Sequence, residues 1–472
     1  MTSLHQTDLG PAARTTAARA RTLWGCAVLL SLGVAAAPPG IAQTASQTTE
    51  APASTLQEIT VTATRRAERL EDVPISVAAF SDQELVSKGV RSIDDLTNIT
   101  PGVTFQRNGM AASFEDEASD INIRGIDSSA GTSTTGVYID DTPIQVRHLG
   151  FDGGGVTPFP ALFDLERVEV LRGPQGTLFG ASSEGGAVRF ISPEPGLTQS
   201  SAYALSEVSD TDHGAPSYQV GAAYGGPIID DNLGIRVSAS VRTDGGYVDR
   251  VAYSYPNPLE LVDPSFTHTV VPNANWQTTE TFRLALKWAL NDKISITPSF
   301  YYQHLHVADT GTYWLPLSDP SAEIFRSGNV LATESSDPFW LAAIRLNWDL
   351  GFAQLISNTS YFWRHQRGDS DTTLYFRESY FGFYNPASGV PNTSPWPRPG
   401  DLGPSYFEEQ QNNIYEELRL VSADPSARIT WTGGFFFSHL KQNDPGFSVD
   451  KTLDAEFDDL VCEGVGIPCP GG

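Results

Sequence analysis

Beyond residue 200 the chain alternates. Leu233, Ile235, Val237, Ala239 and Val241 fall on one side of an extended segment, and Arg236, Ser238, Ser240 and Arg242 on the other. Phe282, Leu284, Leu286 and Trp288 repeat the pattern opposite Arg283 and Lys287, and Ile294, Ile296, Phe300 and Tyr302 do so opposite Ser295, Thr297, Ser299 and Gln303. Trp340, Ala342, Ile344, Leu346 and Trp348 follow, then Ile429, Trp431, Phe435 and Phe437. A period of two predicts strands with one apolar and one polar face, several of them about ten residues long or more. Turn-formers part them at Gly226-Pro227 through Asp231-Asn232, at Asn291-Asp292 and at Ala423-Asp424-Pro425, whereas residues 250–277 and 374–406 are long acidic gaps.

Before residue 200 the texture differs. Residues 73–195 predict a compact mixed α/β domain. A strand over 75–80 runs into Ser81-Asp82-Gln83-Glu84, the spacing of a capping box, which opens a short helix ending at Gly89. Ser92-Ile93-Asp94-Asp95 opens a second helix, stopped before Pro101. Short strands are expected at 103–106, 121–124, 137–139, 167–171 and 187–191. The last two flank a glycine-rich turn, residues 173–180 (GPQGTLFG), which lacks the Lys-Ser/Thr of a phosphate-binding loop. Ahead of the domain, a polar stretch over 43–55 gives way to a β-branched island at 56–64. Such an island either adds to the sheet edge of another protein or begins the next domain, and the residues alone leave both open.

The first residues have the order of a cleavable export signal. Arg14, Arg19 and Arg21 precede an apolar run over 23–37 and a small-residue exit at Gly40-Ile41-Ala42. That run is shorter than the roughly 20 residues a spanning helix needs. Cleavage after Ala42 removes Cys26 and leaves Cys462 and Cys469, which either close a disulfide in an oxidising compartment or stay as two thiols. No His or third Cys stands near them, so no metal site is expected there.

Charge narrows the function. With 56 acidic residues against 30 basic ones and a net charge of -26, the chain is no nucleic-acid binder and carries no basic patch for anionic headgroups. No catalytic constellation and no cofactor motif stands out, so the chain is not read as an enzyme. His304 and His306 share a strand face and are read as lone lumen residues, not a metal pair. Alternation alone fits a soluble sandwich as well as an outer-membrane barrel. Strand length, the mixture of short turns and long loops, Tyr and Trp near strand ends, and the export signal favour the barrel.

Seven segments in order carry a resemblance: residues 58–63 (EITVTA), 73–80 (VPISVAAF), 94–103 (DDLTNITPGV), 121–126 (INIRGI), 137–144 (VYIDDTPI), 163–180 (FDLERVEVLRGPQGTLFG) and 185–192 (GGAVRFIS). Together they resemble the TonB-dependent outer-membrane receptors. The resemblance implies an N-terminal mixed α/β plug domain inside an outer-membrane β-barrel in the cell outer membrane. The layout becomes a signal peptide over 1–42, a flexible leader with a TonB box over 43–64, a plug over 65–195 and the first part of a barrel over 200–472. It also implies import of a scarce nutrient, by family default a ferric siderophore, energised through TonB and its inner-membrane complex. A carbohydrate ligand, a soluble exported β-rich binding protein and a non-transporting fragment are the competing readings.

Site residues follow from the same resemblance. Glu58, Ile59, Thr60, Val61, Thr62 and Ala63 would be the TonB box, exposed and tethered by the leader. Plug arginines Arg124 and Arg172 would pair with barrel glutamates, Glu417 first and Glu280 second. The plug loop over 106–120, with Gln106, Arg107, Asn108, Phe114, Glu115, Asp116 and Glu117, would face the ligand, although its acids also fit a solvated tip. The long loops after Arg250 and Leu374 come second. The leader over 43–57 leaves no room for the extra domain of transducer members. Residues 200–472 supply about nine of the roughly 22 antiparallel strands of a family barrel. The closing strand and terminal aromatic are missing from them, so a truncated or split receptor is expected.

Overall fold

The computed structural model describes residues 59–107, 119–126, 131–145, 147–148, 157–253, 267–373, 384–385, 390–391, 404–443 and 448–449. The expected export signal, Glu58, Cys462 and Cys469 lie outside them.

The N-terminal domain begins with β1 (Thr60–Val61) paired antiparallel to β2 (Glu68–Arg69). Its main sheet uses β3 (Ser76–Ser81), β6 (Thr135–Ile139), β7 (Thr142–Pro143), β8 (Arg167–Arg172) and β9 (Gly186–Ile191), and a side ladder joins β4 (Val103–Arg107) to β5 (Ser119–Ile123). The sheet order is β3-β8-β9-β6-β7, with β8 antiparallel to both neighbours and β9 parallel to β6. Helix α1 (Asp82–Ser87) starts where Ser81 accepts the Glu84 amide, and α2 (Ile93–Asn98) carries a full capping box between Ser92 and Asp95. The glycine-rich turn holds one short helix, Gly176–Phe179, not foreseen from its composition. Gly186 is obligatory: at φ 153° a Cβ would stand 2.1 Å from the Leu171 carbonyl oxygen. Phe80, Leu85, Leu96, Ile123, Val168 and Phe190 fill one side of the sheet, and Val61, Ala63, Leu171 and Ala187 the other.

The second unit of structure is one large antiparallel sheet. Its strands are β10 (Ser201–Ser209), β11 (Ser217–Ile229), β12 (Leu233–Asp244), β13 (Gln277–Asn291), β14 (Ile294–Val307), β15 (Ser335–Asp349), β16 (Ala353–Asp371), β17 (Pro404–Ser422) and β18 (Thr432–Asn443). Each pairs with the next in chain order, and a short tenth strand, β19 (Ser448–Val449), joins β17. Short turns at one end alternate with long connections at the other. There Val248–Tyr253, Thr267–Val271 and Phe325–Ser327 make a small sheet of their own. Strands of 12 to 19 residues exceed the roughly 9–11 that cross a bilayer at a tilt.

What separates barrel from sandwich is which face is covered. In a soluble sandwich the apolar faces are buried. Here the apolar side is exposed, Trp288 at 49%, Ile344 at 54% and Val241 at 44%, while the polar side is buried, Arg364 at 0% and Arg236, Arg283 and Glu417 at 8% each. The N-terminal domain covers that polar side. Gln303 accepts from the Ala161 amide and donates to the Phe159 carbonyl, and Arg236 pairs with Asp164. Phe339, Leu341 and Phe362 complete the domain's own core from the sheet. An exposed apolar face over a charged interior suits lipid outside and a plug inside. The sheet is a partial outer-membrane barrel.

Parity corrects two expectations. On β13 the inward residues are odd-numbered, as Arg283 shows, so Glu280 points outward and is half exposed. On β14 the inward set includes Gln303, so His304 and His306 face outward and not into the lumen. A further difference is that Ile429 precedes β18 and does not belong to a strand.

Candidate functional site

The segment from Ile59 to Arg65 is short of backbone partners and borrows side chains instead. Beyond the two-residue β1–β2 ladder, the Leu70 amide donates to the Ile59 carbonyl and the Arg65 amide to that of Thr62. Thr62 faces the domain's central strands. Its amide donates to Glu169 Oε1 at 2.9 Å, and its carbonyl accepts from Arg189 Nη1 at 3.0 Å. Val61 and Ala63 on either side are fully buried. The expected exposure holds at Thr60 and fails at Val61 and Ala63: alternation drives those two into the domain while Thr62 meets two charges.

Those charges belong to a buried seam. Glu169 on β8 and Arg189 on β9 are cross-strand partners, 2.8 Å apart, and Arg167 donates to Glu169 from the other side at 2.8 Å. Arg189 continues to Asp141 at 3.2 Å, just past β6. Asp141 also takes Arg65 at 2.8 Å and, from the barrel strand β17, Arg419 at 3.3 Å. Glu417, two residues along the same inward face, accepts from Arg419 at 2.9 Å and stands 3.6 Å from Arg65. Arg65 is held in place by the Phe179 ring, 4.2 Å below its guanidinium. Burial by itself would raise the Asp141 carboxyl, but Arg419, Arg65 and Arg189 bring it well below the usual carboxylate range. Burial is likewise outweighed at Glu169, where Arg189 and Arg167 hold the group low. Both acids are charged in the folded state. The seam joins residues 59–65, the domain's central strands and the barrel wall into one electrostatic unit.

The expected ion pairs are arranged differently. Glu417 does meet an arginine of the N-terminal domain, but it is Arg65. Arg124 lies exposed beside Gly173, and Arg172 donates to the Pro101 carbonyl at 3.0 Å; neither pairs with Glu417 or Glu280. Glu280 stands outside the sheet, 3.9 Å from His304. Sequence reasoning missed Arg65, Asp141, Glu169, Arg189 and Arg419. Only Arg419 left a usable signal, its i,i+2 spacing from Glu417. Gln106 and Arg107 close β4, and Asn108, Phe114, Glu115, Asp116 and Glu117 lie outside the described residues.

At the end bearing the long connections, a cavity of about 340 Å³ opens between the domain and the sheet. Phe105, Phe159 and Tyr203 line it with Gln277, Gln303 and Asp337. Its arginines are already neutralised, Arg91 by Glu207 and Arg242 by Asp244.

Comparison with known proteins bears directly on this architecture. The family described as "TonB-dependent Receptor Plug Domain" matches residues 69–187. Residues 69–187 belong to that plug-domain family. The iron-regulated outer membrane virulence protein of Vibrio cholerae is 31% identical over 167 residues, 34% of this chain and 23% of that protein. The pesticin receptor of Yersinia enterocolitica is 31% identical over 211 residues, 44% and 28% of the two chains. Among solved structures, the ferric yersiniabactin uptake receptor of Yersinia pestis superposes with a TM-score of 0.56 at 17% identity, over 80% of this chain and 50% of that one. The matched stretches span less than a third of these curated relatives and half of that solved receptor. These relatives are named as receptors and transporters, and the outer membrane stands in the names of the Vibrio cholerae protein and of the ferrichrome transporter of Escherichia coli.

Proposed function

We propose that this protein imports a scarce ligand and that residues 58–63 are the segment on which TonB pulls. In this reading 1–42 is a cleaved export signal, 43–64 a leader, 65–195 the plug and 200–472 barrel wall. The ligand class is taken from the relatives: one is named a ferrichrome outer membrane transporter and another a ferripyoverdine receptor, both named for iron-bearing ligands. It would enter through the cavity beside Phe105.

The single observation behind this reading is the tethering of Thr62. A β-branched segment held by a two-residue ladder and two charged side chains can be peeled off and added to the sheet edge of a partner. Peeling removes Thr62 from Glu169 and Arg189, and through Arg189 it reaches Asp141 and the barrel wall. The energy comes from outside the chain, and no bond chemistry is needed.

Ile59→Pro tests it. Proline removes an amide and disfavours strand addition. Cross-linking between TonB and cysteines placed over 59–63 should disappear, with uptake of iron-loaded ferrichrome, while the amount in the outer membrane stays constant. Undiminished cross-linking would overturn the assignment. Extraction as soluble periplasmic protein, without heat-modifiable mobility, would favour a non-transporting binding protein instead.

A further inference from the structure

Three metal-ligating side chains converge at the outward end, away from the seam. Asp212 and His213 occupy the turn between β10 and β11, and Glu323 follows the 3-10 turn Pro320–Ala322 in a long connection. His213 Nδ1 stands 3.4 Å from Glu323 Oε2 and 3.7 Å from Asp212 Oδ1, and all three donor atoms lie within 4.8 Å of one another. Among the described residues this is the one group of three such donors to converge in this way. Among them, too, no lysine or arginine pairs with either carboxylate, so with a neutral imidazole the cluster holds two uncompensated negative charges.

The spacing is informative. Donors about 2.1 Å from a tetrahedral Zn²⁺ stand roughly 3.4 Å apart. The two nitrogen-to-oxygen separations are already close to that edge, and only the two carboxylates need to draw in. Calcium and magnesium prefer all-oxygen shells, and the imidazole nitrogen argues against both. We propose that Asp212, His213 and Glu323 bind one Zn²⁺-class dication, with the fourth position left to water. The site is a clasp. Its turn packs on the start of the small sheet through the Ala215 amide to Gly246 carbonyl bond at 2.8 Å, and Tyr247 meets the Phe325 ring at 5.7 Å. An ion there ties two loops 110 residues apart into one lobe at the rim of the cavity. This site is independent of the import reading and stands or falls without it.

Zinc chloride titrated calorimetrically into the full chain, chelator-stripped and in detergent micelles, provides the test. One equivalent should bind, and His213→Ala and Glu323→Gln should each weaken it at least about tenfold, since even outer-shell partners of a metal are worth that much. The substituted side chains are more than half exposed, so both variants keep the fold. Zinc should also slow hydrogen exchange in 210–216 and 319–324 together, in the parent but in neither variant. Zinc binding that His213→Ala leaves unchanged, or exchange unmoved by zinc in the parent, would overturn the assignment.

Discussion

Replacing Glu169 by alanine should release the N-terminal segment of the plug. Glu169 is fully buried and accepts four contacts: the Thr62 amide, the Thr62 hydroxyl, Arg167 Nε and Arg189 Nη1. For the plug as a whole, breaking a buried charge pair costs about 3–5 kcal/mol. For the segment, the Thr62 amide alone loses a hydrogen bond to a charged acceptor, worth at least about 1.5–3 kcal/mol, or roughly a ten- to hundredfold rise in the undocked fraction. The reporter should not touch Glu169 itself. The Leu70 amide, bonded to the Ile59 carbonyl at 3.0 Å, senses whether 59–62 is docked, and its hydrogen exchange should speed up by that factor. The direction with pH follows from the same charges. The folded-state pKa of Glu169 is depressed, so its contribution is complete above the unfolded value of about 4.3 and is lost as pH falls through the lower folded value. Exchange at Leu70 within twofold of the parent, in a variant whose core amides remain protected, would refute the claim that Glu169 holds this segment.

Further outcomes follow from the seam and from strand parity. Asp141→Asn removes the charge shared by Arg65, Arg189 and Arg419, and should lower the urea concentration that releases the plug by an amount equivalent to about 3–5 kcal/mol. Glu280→Gln lies outside the sheet and should leave that midpoint within about 0.5 kcal/mol, so a larger drop would mean that β13 is oriented the other way. Ile344→Arg places a charge on the lipid face and should cost about 2–4 kcal/mol of folding in bilayers, read from urea titrations in lipid vesicles. An unchanged titration would show that this face does not meet lipid.

Much of the fold was written locally. Ser81 and Ser92 foretell two helix starts because a cap and its amide lie within one turn, although the full capping box forms at Ser92 and not at Ser81, and the alternation over 233–241 foretells β12 because side-chain direction in a strand depends only on parity. The seam was less legible. Arg65, Asp141, Arg189 and Glu417 come from four distant stretches, and nothing near any of them records the other three. Family motifs pointed to Arg124 and Arg172. The arginine that meets Glu417 is Arg65, which a turn at φ 62° carries over the Phe179 ring.

By itself the sequence determined that residues beyond 200 form two-faced strands and that the domain before them is small, mixed and capped, since these depend on neighbours along the chain. It did not determine which face would be buried. Val241 and Arg242 alternate identically in a water-soluble sheet and in a barrel. Only the tertiary structure decided it, by seating the N-terminal domain on the arginine side and leaving the valine side bare. The physical reason is solvent. A charged interior is stable where buried partners such as Asp164 and Asp141 neutralise it, and an exposed apolar face is stable where lipid, not water, lies against it.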